Sequence, residues 1–169
     1  MREDVTIRSI TVEDAEALLN LQKQLDGETT FMLLEPGERK TTVEKARENI
    51  QRVLDQPNGT ILVAEHEGKL IGYLYANGGG ARRNSHTVYI VIGILQAYTG
   101  QGIGTRLFEE LERWAREKGI HRLELGVMTP NVAGIALYTK MGFVIEGTRK
   151  HAYRVDDDWV DEFMMGKVL

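Results

Sequence analysis

The chain has 169 residues, 42% of them hydrophobic and 27% charged, with a net charge of −4, 18 glycines and no cysteine. That length allots one domain, residues 1–169, of ordinary globular composition rather than a disordered or fibrous one. The lack of cysteine excludes disulfides, thiolate metal sites and a cysteine nucleophile. His66, His86, His121 and His151 are too scattered for a metal set, and the mild acidity gives no reason to expect nucleic acid.

Val5, Ile7 and Ile10 predict a short first strand. Thr11, with Asp14 three residues on, predicts a capping box and a helix buried through Ala15, Leu18, Leu19, Leu21 and Leu25, ended by Gly27. The connector 28–40 carries Glu35-Pro36-Gly37-Glu38. A second helix is expected from about Thr41, boxed by Glu44, with Val43, Ala46, Ile50, Val53 and Leu54 inward and Pro57-Asn58-Gly59 as its stop. Strands at 60–65 and 69–76 flank the hairpin signal His66-Glu67-Gly68. A glycine-rich loop precedes a fourth strand, 86–95, whose internal Gly93 marks a bulge or a close backbone approach.

Gly102 opens the strongest amphipathic helix, with Ile103, Leu107, Phe108, Leu111, Trp114 and Ala115 on one face and Lys118-Gly119 at its end. A fifth strand, 122–128, leads to a short helix, 132–141, and Gly142 stops it. Extended segments at 143–145 and 148–154, a turn at Asp156-Asp157-Asp158 and a last strand, 159–169, complete the chain. The order β-α-α-β-β-β-α-β-α-β-β implies an α/β (α+β) fold with a mixed sheet of about seven strands and helices on both faces. No run approaches about 18 apolar residues and the first ten residues carry charges where a leader would be apolar, so a cytoplasmic protein with no membrane partner is expected.

Chemistry concentrates in Thr99-Gly100-Gln101-Gly102-Ile103-Gly104-Thr105, between a strand and a helix. A helix start offers unpaired N–H groups and the positive end of the macrodipole, and glycines let a ligand approach them. Such a turn suits a phosphate or diphosphate. A P-loop reading fails because Thr105-Arg106 stands where Lys-Ser or Lys-Thr is required. A dinucleotide fingerprint fails because Thr105 and Leu107 occupy its last glycine position in the two possible registers.

Downstream lies Asn131-Val132-Ala133-Gly134-Ile135-Ala136-Leu137-Tyr138-Thr139-Lys140-Met141-Gly142-Phe143. Together, the two blocks resemble the GNAT family of acetyl-CoA-dependent N-acetyltransferases. Its loop reads Arg/Gln-x-x-Gly-x-Gly/Ala, and its second block reads N-x-x-A-x-x-L-Y-x-K-x-G-F. The resemblance implies the GNAT fold, a mostly antiparallel sheet splayed between the fourth and fifth strands by a bulge near Gly93. It implies that Gly100, Gln101, Gly102, Ile103, Gly104 and Thr105 hold the diphosphate of acetyl-CoA, the co-substrate, and that no metal takes part. Ile92, Gly93 and Ile94 would run beside the pantetheine arm, Asn131 would touch that arm, and Tyr138 would be the general acid.

Three positions depart from the pattern: Thr99 replaces Arg or Gln, Gly134 replaces an alanine and should loosen its helix, and Gly126 stands where some relatives carry a glutamate base. His86 is the candidate proton acceptor, sharing a face with Val88, Ile90, Ile92 and Ile94, while Tyr89 faces the other way. Glu35 and Glu38 are candidate acceptor-binding residues, because the connector forms part of the acceptor site in this family. The expected reaction moves acetyl to a primary amine of a small molecule, an amino acid, polyamine or similar, by direct attack in a ternary complex within a homodimer. A protein N-terminus as acceptor, a non-catalytic acyl-CoA-binding or sensing domain, and an unrelated nucleotide-binding module are the alternatives at this stage.

Overall fold

A computed structural model describes residues 2–169 of the chain. Its strands are β1 (Thr6–Ser9), β2 (Gly59–His66), β3 (Lys69–Gly78), β4 (Thr87–Ile94), β5 (Arg122–Met128), β6 (Val144–Val155) and β7 (Asp158–Val168). The helices are α1 (Ala15–Glu28), α2 (Val43–Leu54), α3 (Ile103–Glu117) and α4 (Val132–Lys140). One seven-stranded sheet runs in the order β1-β2-β3-β4-β5-β7-β6. Only β4 and β5 pair in parallel. The expected mixed, mostly antiparallel seven-stranded sheet is therefore present.

Local chemistry explains the connections. Glu67 and Gly68 both take positive φ (50° and 76°), the conformation that lets a two-residue turn follow the twist of β2 and β3. Asp156 and Asp157 do the same between β6 and β7 (49° and 68°). At the start of α1, the Thr11 N–H donates to the Asp14 carboxylate at 2.8 Å, the expected box. The α2 cap is one residue later than expected. The Thr42 hydroxyl, not Thr41, accepts the Lys45 N–H at 3.1 Å. Leu54 falls outside the buried stripe. The two short segments expected near the end merge into β6, because register shifts after Ile145 and Arg149 let one strand bend along β7.

Seven of the eight residues of β2 and six of the ten of β3 are buried, because helices cover both sheet faces. The sides can be read from two adjacent residues of β4. A Cβ at Gly93 would meet Leu25 of α1 at 2.8 Å, whereas the Ile94 side chain lies against Gly104 of α3. Neighbouring strand residues point to opposite faces, so α1 and α3 sit on opposite sides. Gly93 does not form the bulge expected of it. The register of β4 on β3 is unbroken from Gly72 opposite Ile94 to Gly78 opposite Val88. Its lack of a side chain instead admits Leu25 and, at 3.2 Å, the Tyr73 ring.

The expected splay exists without that bulge. β4 and β5 pair only through Thr87, Val88 and Tyr89 against Arg122, Leu123 and Glu124, and then part. Leu137 and Tyr138 of α4 line the gap they leave. Among the described residues, no helix is long and apolar enough to cross a membrane.

Candidate active site

The gap is part of a cavity of about 1170 Å³ that runs from the start of α3, between β4 and β5, to the face of β5 and β7. At one end, Gly100 and Gly102 take φ of 72° and 83°, so the turn into α3 depends on glycine. The first bond of the helix is made by the Arg106 N–H to the Gly102 carbonyl at 3.1 Å. Among the described residues, no backbone N–H from 100 to 105 donates to a protein acceptor. Free donors of this kind, with the helix dipole behind them, are chemically suited to an anion.

Side chains around the turn are already engaged. The Thr99 hydroxyl donates to the Gln96 carbonyl at 2.8 Å, so this residue closes the preceding turn. The Gln101 amide donates to the Ala97 carbonyl (3.2 Å) and accepts from Arg2 (3.3 Å), and Arg106 donates to the Arg2 carbonyl (3.0 Å). Lys140 donates to the Thr105 hydroxyl at 3.2 Å, which sets a cation beside the first turn of α3. Close packing of α3 on α4 holds this end together, since a Cβ at Gly104 would lie 2.6 Å from Leu137 Cδ2.

Ile92, Gly93 and Ile94 line the middle of the cavity, as does Asn131. Asn131 is also the N-cap of α4, its Oδ1 accepting the Gly134 N–H at 3.0 Å. A Cβ at Gly134 would stand 2.6 Å from the Asn131 amide nitrogen. Glycine there makes room for the cap rather than simply loosening the helix.

Tyr138 is buried, its ring meeting Phe108 and Phe143 edge-on at centroid distances of 5.7 and 6.4 Å. The residue lines the cavity, and its hydroxyl makes no hydrogen bond among the described residues. Burial, with the nearby Tyr89 second, pushes this phenol up to about 12. It therefore carries its proton throughout the neutral range.

At the far end stand Tyr89, Gly126, Tyr153 and Glu162. The Tyr153 hydroxyl donates to Glu162 Oε2 at 2.7 Å. Burial and that carboxylate raise Tyr153 to about 12, and burial followed by the charge of Glu162 raises Tyr89. Residues 29–33 of the connector line the cavity on this side.

The sequence-predicted site is thus mostly assembled in one place. Residues 92–94, the glycine turn, Asn131 and Tyr138 all line the cavity, Gln101 bordering it through the turn. His86 does not. It is exposed in the turn before β4, with its ring 6.3 Å from that of His121 and its carbonyl accepting the His121 and Arg122 N–H groups. It lies before the paired end of β4, whereas the cavity opens after that pairing stops. Glu35 and Glu38 are likewise absent from the lining. They are exposed and close a turn on each other, the Glu35 N–H donating to the Glu38 carboxylate at 3.0 Å and the Glu38 N–H to the Glu35 carbonyl at 3.1 Å. Tyr89, placed by strand alternation on the face opposite His86, lines the cavity, and Glu162, Tyr153 and Lys140 are additions. Alternation along β7 was the only available signal for Glu162.

Comparison with known proteins agrees with this geometry. The model of the Acetyltransferase (GNAT) family matches residues 23–143. The chain is 32% identical over 123 residues to L-amino acid N-acetyltransferase AaaT of Escherichia coli (strain K12), covering 70% of this chain and 74% of that protein. It is 34% identical over 153 residues to N-alpha-acetyltransferase RimI of Mycobacterium tuberculosis (strain ATCC 25618 / H37Rv), covering 90% and 87%. Among solved structures, an acetyltransferase of GNAT family from Streptococcus pneumoniae superposes with a TM-score of 0.93 at 31% identity, covering 98% of this chain and 99% of that one.

Proposed function

The chain belongs to the acetyltransferase (GNAT) family and is an acyltransferase, and from that premise we propose that it moves an acetyl group from acetyl-CoA to a primary amine of a small molecule by direct attack in a ternary complex. One observation carries the reading: a single cavity joins a row of unpaired backbone donors to the largely buried Tyr138, whose hydroxyl makes no hydrogen bond among the described residues. The donors at 100–105 suit a diphosphate, with Lys140 adding charge. β4 lacks a partner strand on its β5 side after Tyr89, which suits an extended arm carrying amides.

Acetyl-CoA, when bound, supplies a thioester activated toward amines. Residues 92–94 and Asn131 orient its arm, the walls of the gap exclude water, and Tyr138 holds a proton at its hydroxyl for the departing sulfur. The name of the E. coli relative supports an amino acid or similar amine as acceptor. A protein N-terminus is the second reading, supported by the N-alpha-acetyltransferase relative and its 90% coverage of this chain. Val144, Ile145 and Val168, exposed on β6 and β7, support a homodimer.

The test is acetyl-CoA-dependent thiol release across L-amino acids, polyamines, aminoglycosides and short peptides, with melting temperatures measured in acetyl-CoA, ATP and NAD. The expected result is stabilisation by acetyl-CoA alone and turnover with a small amine. Binding without thiol release on the whole panel would point to a sensing domain. Stabilisation by ATP or NAD instead would remove the reading altogether.

A further inference from the structure

Glu162 is 5% exposed, on the interior strand β7, with β5 on one side and the edge strand β6 on the other. Its one ion pair among the described residues is long and reaches it from a largely exposed side chain. Oε2 accepts one hydrogen bond, from Tyr153, and the nearest cation, Arg149, stands 3.8 Å from Oε1 on a side chain that is 63% exposed. A buried carboxylate with one neutral donor and a single long ion pair keeps acceptor capacity for a further cationic donor. The unfilled side of Glu162 is the cavity.

Gly126 makes the placement possible. A Cβ at that position would lie 2.6 Å from Glu162 Oε2 and 3.0 Å from the Tyr89 hydroxyl. The space over β5 that a side chain at 126 would take is filled by a carboxylate reaching across from β7. Tyr89 and Tyr153 flank it, and both are neutral phenols that add no competing charge.

We infer that Glu162 is the group that receives the acceptor's ammonium and takes its proton, with the Tyr89 and Tyr153 hydroxyls as neighbouring hydrogen-bonding groups. The inference rests on the acetyltransferase reading above and names the acceptor class as a primary amine that binds in its cationic form. The ammonium gives one proton to Glu162. The nitrogen lone pair then forms the C–N bond as the C–S bond breaks, and the departing sulfur takes the Tyr138 proton. The second nitrogen proton restores the Tyr138 hydroxyl, and Glu162 returns its proton to solvent. The charged and titratable groups facing Glu162 are Tyr153 and Arg149 from β6 and Tyr89 from β4, with Glu124 of β5 acting on Tyr89.

The experiment compares wild type, Glu162→Gln and Gly126→Ala by thiol release against pH, using the panel amine that wild type turns over best, and by acetyl-CoA calorimetry. Glu162→Gln should keep acetyl-CoA affinity within about twofold, lose roughly 100-fold or more in kcat/KM, and lose one unit of slope from the acid limb of its pH profile. Gly126→Ala removes no acid and meets only the ends of flexible side chains, so it should fold, and the displaced carboxylate should cost activity in the same direction. Wild-type turnover with Glu162→Gln within threefold of it and an unchanged acid limb would overturn the assignment while leaving the acetyltransferase reading intact. If wild type binds acetyl-CoA and acetylates no amine, the reading falls and the assignment with it.

Discussion

Replacing Tyr138 by phenylalanine separates a chemical role from a packing role. The ring fills a pocket against Phe108 and Phe143, and phenylalanine keeps those edge contacts. The hydroxyl makes no hydrogen bond among the described residues and Tyr138 faces the cavity, so its loss should change stability by no more than about 1 kcal/mol. A positioned general acid is worth roughly 10²–10⁴ in rate, or about 3–5 kcal/mol in the barrier. Y138F should therefore melt within a few degrees of wild type and bind acetyl-CoA equally well by calorimetry, while kcat for thiol release falls at least 100-fold. There is a second signature at high pH. Burial holds this phenol near 12, against about 10 when unfolded. Between those values the unfolded chain sheds a proton that the folded chain keeps, so the stability present below pH 10 is lost as pH rises toward 12. The loss amounts to roughly 2–3 kcal/mol, and Y138F should lack it in urea melts. A kcat within threefold of wild type, with a large drop in melting temperature, would show that Tyr138 is a packing residue and refute the assignment.

Gly100→Ala places a methyl group that meets no protein atom within 4 Å, on a residue whose φ is 72°. Strain should cost about 1–2 kcal/mol and a few degrees of melting temperature, and acetyl-CoA should bind at least roughly tenfold more weakly; unchanged affinity by calorimetry would mean that the diphosphate does not sit on this turn. Asn131→Ala removes the α4 cap and should lower stability by about 1 kcal/mol in a urea melt, whereas no loss would show the cap to be dispensable. Asp14, held near 2 chiefly by its ion pair with Arg8, contributes stability above about pH 4 that is lost as pH falls toward 2. Allowing for solvent screening, D14N should remove on the order of 1–2 kcal/mol at pH 7 and flatten this part of the acid transition; an unaltered transition would contradict the pairing.

Much of the fold was legible because local rules and tertiary structure agree. The stripes of α1 and α3, the bounds of β5 and both two-residue hairpins follow from spacing and turn chemistry alone. The glycine-turn end of the cavity was legible for the same reason, since that turn and the start of α3 are contiguous in sequence. The far end, over β5 and β7, was not. Glu162 and Tyr153 reach the cavity because β7 inserts between β5 and β6, opposing Gly126 to Met164 and Arg149 to Glu162. A period of two assigns a residue to a face but does not say which strand lies beside it. Alternation correctly separated Tyr89 from the buried Val88 and Ile90. His86 lies off the cavity because the end of β4 that the cavity meets is set by where β4 and β5 stop pairing. Glu35 and Glu38 lie off the cavity for a simpler reason: Pro36 and Gly37 between them favour a turn, and the turn engages both residues locally.

The most direct measurement is a crystal structure of this protein with acetyl-CoA bound. Diphosphate oxygens should lie about 3 Å from the amide nitrogens of residues 100–105, with the sulfur turned toward the Tyr138 hydroxyl in the gap between β4 and β5. Diphosphate electron density away from that turn, or a sulfur out of reach of Tyr138, would contradict the account.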